Sequence, residues 1–279
     1  MNVFENAQEM TNVQMSNLFI TNQLQHLSKV CELHERIKGL NESLTMLHPI
    51  AVVNGSSYFV FDYNQKIKQY EFIMEHPTHF PISVDIKAAF PLDFYDDKIA
   101  AILTENTLAR PEAHGIVFHE FVHCFQWNKY EKELKEKLEV NIQQMKAGNF
   151  SWEIDYPFPY EDDCFSNATE KLNCVPDANI VAYFANYHNE MKAYLNITDY
   201  EYLVWQEWKE GFARYVENLI RKELGMKPNK TELLGPFDRV SFYELGSRYI
   251  CALVEEDDSL RSDLHKLFYV LKGGEICML

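Results

Sequence analysis

The chain has 279 residues, 47% of them hydrophobic, and a net charge of −16. This is enough apolar material for a sizeable core without disulfides, and the charge argues against nucleic acid or an anionic membrane as a partner. The N-terminal MNVFENAQEMTNVQ has no basic segment followed by an apolar stretch, and no apolar run approaches a membrane span, so the expected location is the cytoplasm.

Residues 1–47 read as N-terminal helices, with Leu18, Ile20, Leu24, Leu27, Val30 and Leu33 forming a helical stripe. Residues 48–110 read as a β region. Apolar runs at 50–53 and 58–61 flank Asn54-Gly55, a strong hairpin signal. Further strands are expected at 70–74, at 82–86, where Ile82, Val84 and Ile86 alternate, and at 99–104. The last of these is a candidate edge strand able to pair with an extended peptide. From 111 onward the pattern is mainly helical. Pro111 and Glu112 suit a first helical turn. Residues 129–147 read as a solvated helix, and 148–176, with Pro157, Pro159 and Pro176, as a loop insert. Helices are expected at 177–195, 200–224, 241–255 and 258–271, with Gly225 and Pro228 ending the second. Strands first and helices later give an α+β fold, with a small sheet packed on the helix that follows it, in a single domain over 1–279.

That helix carries His119-Glu120-Phe121-Val122-His123, the pattern H-E-x-x-H. Histidines four apart project from one helical face and can grip a single zinc ion. The glutamate between them lies about 100° round the helix, near enough to reach a water on that metal. The alternative is a surface helix with two stray histidines. Ile116, Val117, Phe118, Phe121, Val122 and Phe125 speak against it, because they make the helix apolar on most sides. Buried imidazoles and a buried carboxylate need partners, and a metal ion is one.

A catalytic zinc has three protein ligands and an open position. Glu210 lies in a second largely apolar helical stretch, with Trp205, Trp208, Phe212, Tyr215, Val216, Leu219 and Ile220 around it. Gly211 and Ala213 would let another helix approach closely. From the residues alone, Glu210 is equally a metal ligand or the salt-bridge partner of Arg214. Glu217, two turns on, could orient a ligand histidine or pair with a lysine. Cys31, Cys124, Cys164, Cys174, Cys251 and Cys277 show no C-x-x-C spacing, which favours reduced thiols, and Cys124 reads as a small core residue.

Three segments together carry a resemblance. H-E-x-x-H at 119–123, E-G-F-A-R-Y-V-E at 210–217 after a tryptophan, and Phe242-Tyr243-Glu244-Leu245-Gly246 resemble, in order, the zinc and catalytic motifs of gluzincin metallopeptidases of the aminopeptidase N type. The resemblance implies a zincin-like catalytic domain whose helical zinc-binding part runs over 111–279. It implies one zinc per chain held by His119, His123 and Glu210, with Glu120 as general base and Tyr243 steadying the oxyanion. The implied activity is a zinc-dependent metallohydrolase, foremost a peptidase in which Glu120 activates a zinc-bound water. The implied partner is a peptide or small-molecule substrate. A hydrolase of non-peptide bonds and a catalytically inactive binding domain are the alternatives. The family's amine-anchoring G-x-M-E-N segment has only a partial echo in Thr104-Glu105-Asn106, and 86 residues separate His123 from Glu210, more than in the family. The resemblance therefore does not extend to aminopeptidase specificity. Tyr249, His188 and Tyr215 are further candidates for the role of Tyr243.

Overall fold

The computed structural model describes residues 3–78, 82, 83, 85–110, 114–176 and 179–273, with side chains from residue 14 onward. The expectations for Pro111, Glu112 and Cys277 lie outside the described residues. The fold is α+β, a five-stranded mixed sheet followed by a helical lobe. Contacts divide the chain into two compact units, Met1–Cys124 and Phe125–Leu279.

In the first unit, α1 (Val3–Ile37) buries Phe19, Gln23, Leu27, Val30, His34 and Ile37. Their spacing of three and four residues is the stripe of a helix lying on a core. Leu18 instead is exposed. The stripe contains two polar members, which the apolar pattern alone misses. Gln23 donates to Glu105 at 3.3 Å, and a ring nitrogen of His34 meets the Leu44 carbonyl at 2.8 Å.

The strands are β1 (Ile50–Asn54), β2 (Ser57–Asn64), β3 (Gln69–Pro77), β4 (Lys87–Leu92) and β5 (Lys98–Thr104), in sheet order β3-β2-β1-β5-β4. The β1–β2 hairpin pairs Val52 with Phe59, and Gly55 at its tip has φ +59°. That left-handed conformation is cheap for glycine, as the Asn-Gly signal requires. β1 also pairs in parallel with β5, and β4 pairs antiparallel with β5. Both faces of the central strands are buried. Phe59 packs on Phe19 of α1 at 4.6 Å between ring centres, while Ala51, Val53, Tyr58, Val60 and Ile102 form a second cluster opposite. This is why the central strands read as unbroken apolar runs.

Two expectations fail here. The described part of 82–86 is not a strand; Ile82 and Ile86 cover the second face of the sheet from a loop. The strand is its neighbour β4, an edge strand that tolerates Pro91. And β5 is not an edge strand, because it has partners on both sides.

The chain then forms α2 (Glu105–Leu108) and α3 (His114–Gln126). In the first unit, Phe118 of α3 stacks on His34 and Phe121 meets His48 at 5.4 Å. Cys124 is fully buried.

The second unit is helical. From α3 the backbone continues through a π-helical turn, Trp127–Glu131, into α4 (Lys132–Lys135). There follow α5 (Glu139–Ala147), α6 (Trp152–Asp155), α7 (Asp163–Lys171), α8 (Ile180–Tyr194) and α9 (Ile197–Gln206). A second π turn, Glu207–Gly211, joins α9 to α10 (Phe212–Glu223), and α11 (Ser241–Glu256) and α12 (Leu264–Leu271) complete the fold. Gly225, at φ +68°, stops α10 as expected.

The expected solvated helix over 129–147 is broken between α4 and α5. The segment 148–176 is not a loose insert. Trp152, Tyr156, Phe158 and Phe165 are buried in the unit's core, and Tyr156 and Phe158 contact Tyr202 of α9. Its prolines interrupt short helices that an amphipathic pattern of normal length does not reveal.

Candidate metal centre

Each element of the centre is shaped by local sequence. On α3, His119 and His123 are one turn apart, with ring centres 4.9 Å from each other. Both are buried, as is Glu120 between them. Glu210 lies inside the second π turn. Such turns are rare, shift side chains out of α-helical register, and concentrate at functional sites. The register shift here is supported from within the second unit. Gln126, the last residue of α3, donates through Nε2 to the carbonyls of both Trp208 and Lys209 at 3.2 Å. Carbonyls displaced from the regular i→i−4 ladder thus keep a donor.

The turn is also pressed against α11. A Cβ on Gly211 would lie 2.5 Å from the Gly246 Cα, and one on Gly246 would overlap the carbonyl of Glu207. Backbone meets backbone there, so the small residue at 211 does allow a close helix approach, and its counterpart is Gly246.

His119, His123 and Glu210 each offer one ligand atom, and these atoms lie within 4.8 Å of one another. All three residues are buried. Two imidazoles and one carboxylate suit a borderline divalent ion such as zinc, whose bonds to nitrogen and oxygen are roughly 2.0–2.2 Å. The donor set is of a kind that could hold a metal ion.

No family model, no curated protein and no solved structure matches this chain.

Glu210 pairs not with Arg214 but with Arg239, whose Nη1 donates to Oε1 at 3.0 Å. Arg214 instead approaches Glu217 at 3.6 Å. Glu217 also accepts from Asn229 at 2.9 Å and lies 3.6 Å from Arg221. Tyr243, in the first turn of α11, has the Arg214 and Arg239 guanidinium carbons 5.4 and 5.3 Å from its ring centre. Within the second unit, then, Glu210, Arg239 and Tyr243 form one group. Arg239 was missed from sequence. It precedes the helix that begins at Ser241, so no helical periodicity reaches it.

His188 is engaged elsewhere, 2.9 Å from the fully buried Glu207. Tyr249 lies 5.2 Å from the His188 ring, and burial followed by the charge of Glu207 pushes its phenol up. The ring of Tyr215 packs on Phe212 at 5.9 Å.

A buried ionic network braces the far side of the π turn. Lys209 donates to Glu131 at 3.0 Å and to Glu153 at 2.7 Å, and Lys135 pairs with both carboxylates. Burial alone would raise the Glu153 carboxyl, but the Lys209 and Lys135 ammoniums outweigh it and hold the pKa at about 2. Glu153 also accepts from Trp205 Nε1 at 3.0 Å, and its carbonyl accepts from Gln206 at 2.6 Å. These bonds pin the segment 148–176 to the helix that carries Glu210.

Among the described residues, no helix is long and apolar enough to cross a membrane.

Proposed function

We propose that the chain is a zinc-dependent hydrolase acting on peptide bonds. The observation that supports this reading most is the approach of Glu210 to His119 and His123 across 86 intervening residues, in a donor set of the catalytic rather than the structural kind. Structural zinc sites are normally closed by four protein ligands, often cysteines.

In this reading His119, His123 and Glu210 hold the ion. When bound, zinc acts as a Lewis acid on the scissile carbonyl and lowers the pKa of water to about 7. Glu120 takes the proton of the attacking water and passes it to the leaving amine. The Tyr243 phenol donates to the carbonyl oxygen as negative charge develops there, and it does so without losing its own proton. Hydrolysis consumes one water and yields a carboxylic acid and an amine.

The test is a Glu120→Gln chain assayed beside the wild type. Elemental analysis should find one zinc per chain in both, and a mixed peptide library should be digested by the wild type alone. Undiminished hydrolysis by the variant would sink the mechanism. A wild-type chain that binds zinc but digests no peptide would move the reading to a non-peptide substrate or a binding domain.

A further inference from the structure

Arg239 stands just ahead of α11. Its Nη1 donates to Glu210 at 3.0 Å, and its side chain is 30% exposed. A guanidinium carries five donors in a rigid fork that matches a carboxylate. Tyr243 lies under the Arg239 guanidinium, and the hydrogen-bonded phenols of Tyr160 and Tyr202 are near enough to feel its charge.

A cation beside a metal-binding carboxylate opposes metal binding. An amide side chain would orient Glu210 without that opposition. The charge balance explains the arginine. With a divalent ion in place, the ion and Arg239 together exceed Glu120 and Glu210 by one positive charge, inside a chain whose net charge is −16. One further anion balances the group.

We propose that Arg239 determines specificity, binding the C-terminal carboxylate of a peptide or acylated amino acid whose last residue is removed. The inference rests on the metallohydrolase reading above. Direct contact between Arg239 and Glu210 sets the spacing. One residue of chain, about 3.8 Å, then separates the bound carboxylate from the bond that is cut. The reaction adds one water and releases the shortened peptide acid and one amino acid.

The test has two arms on the full chain. In the first, cobalt(II)-loaded wild type, Arg239→Gln and Arg239→Lys are titrated with acetate and followed by their visible spectra. The wild type should respond, Arg239→Gln should need about tenfold more acetate or beyond, and Arg239→Lys should fall between. Equal acetate affinity in wild type and Arg239→Gln overturns the proposal. So does a cobalt spectrum already altered in Arg239→Gln before acetate is added, because Arg239 then acts through Glu210. In the second arm, zinc-loaded protein is given a mixed tetrapeptide pool as free acids and the same pool as amides, with products read by mass spectrometry. Loss of the last residue from the acids only, abolished in Arg239→Gln, supports it. Equal cutting of both pools, or internal cutting of the acids, overturns it while the metallohydrolase reading stands. A chain that takes up no cobalt overturns both.

Discussion

The side-chain amide of Gln126 donates to the carbonyl of Trp208 at 3.2 Å and to that of Lys209 at the same distance. One residue at the end of the H-E-x-x-H helix thereby holds the π turn that presents Glu210. Gln126 is fully buried. Replacing it with leucine takes a donor from the buried carbonyl of Trp208, at about 1–3 kcal/mol, while that of Lys209 keeps the Phe212 N–H. Gln126→Leu should therefore lower the urea midpoint and weaken zinc binding in a chelator competition. Unchanged zinc affinity with reduced stability would show that the π turn keeps its shape without Gln126.

Contact between the Gly211 and Gly246 backbones leaves no room for a methyl group. Gly246→Ala should cost about 1–3 kcal/mol or more, since the helices must part. The clash falls on Glu207, three residues from Glu210, so zinc affinity should drop as well. A variant with wild-type melting temperature and zinc content would contradict this packing.

Metal should stabilise the fold, because the donor set is assembled only in the folded chain. At a zinc concentration 100 times Kd the gain is about 2.7 kcal/mol, or a rise of several degrees in Tm. EDTA should reverse it. Glu210→Ala and His123→Ala should not respond to zinc. If Glu210→Ala still gains the full shift, another carboxylate completes the set.

Two groups should shape the acid limb of stability. His48 is buried beside Phe121, and burial holds its pKa down at about 4, against the opposing charge of Asp62. The unfolded chain protonates this imidazole first, so its contribution is present above pH ~6.5 and is lost as pH falls to about 4. The loss is about 3 kcal/mol at most. Glu153, held at about 2, contributes above its unfolded pKa of 4.5 and loses that contribution as pH falls through about 2. Chemical denaturation across pH should show both steps. His48→Leu should flatten the first, and Glu153→Gln should flatten the second while lowering stability at neutral pH by about 3–5 kcal/mol. A step that persists in its own variant belongs to another group.

What could be read in the sequence was what depends on neighbours along the chain. Histidines four apart share a helical face whatever surrounds them, so His119 and His123 were legible at once. The Asn54-Gly55 hairpin and the glycine stop of α10 at Gly225 are local for the same reason. Apolar alternation at Ile82 and Ile86 misled because a loop covering a sheet also alternates, and only the sheet's own pairing shows that β4 is the strand. Glu210 stood between two roles in the sequence, and only the folded chain shows that it pairs with Arg239 while Arg214 goes to Glu217. Its pairing with Arg239, the donor from Gln126 and the clamp of Gly246 join residues 29 to 83 positions apart. No periodicity encodes such pairs. They follow from which helices pack together, and only the folded chain decides that.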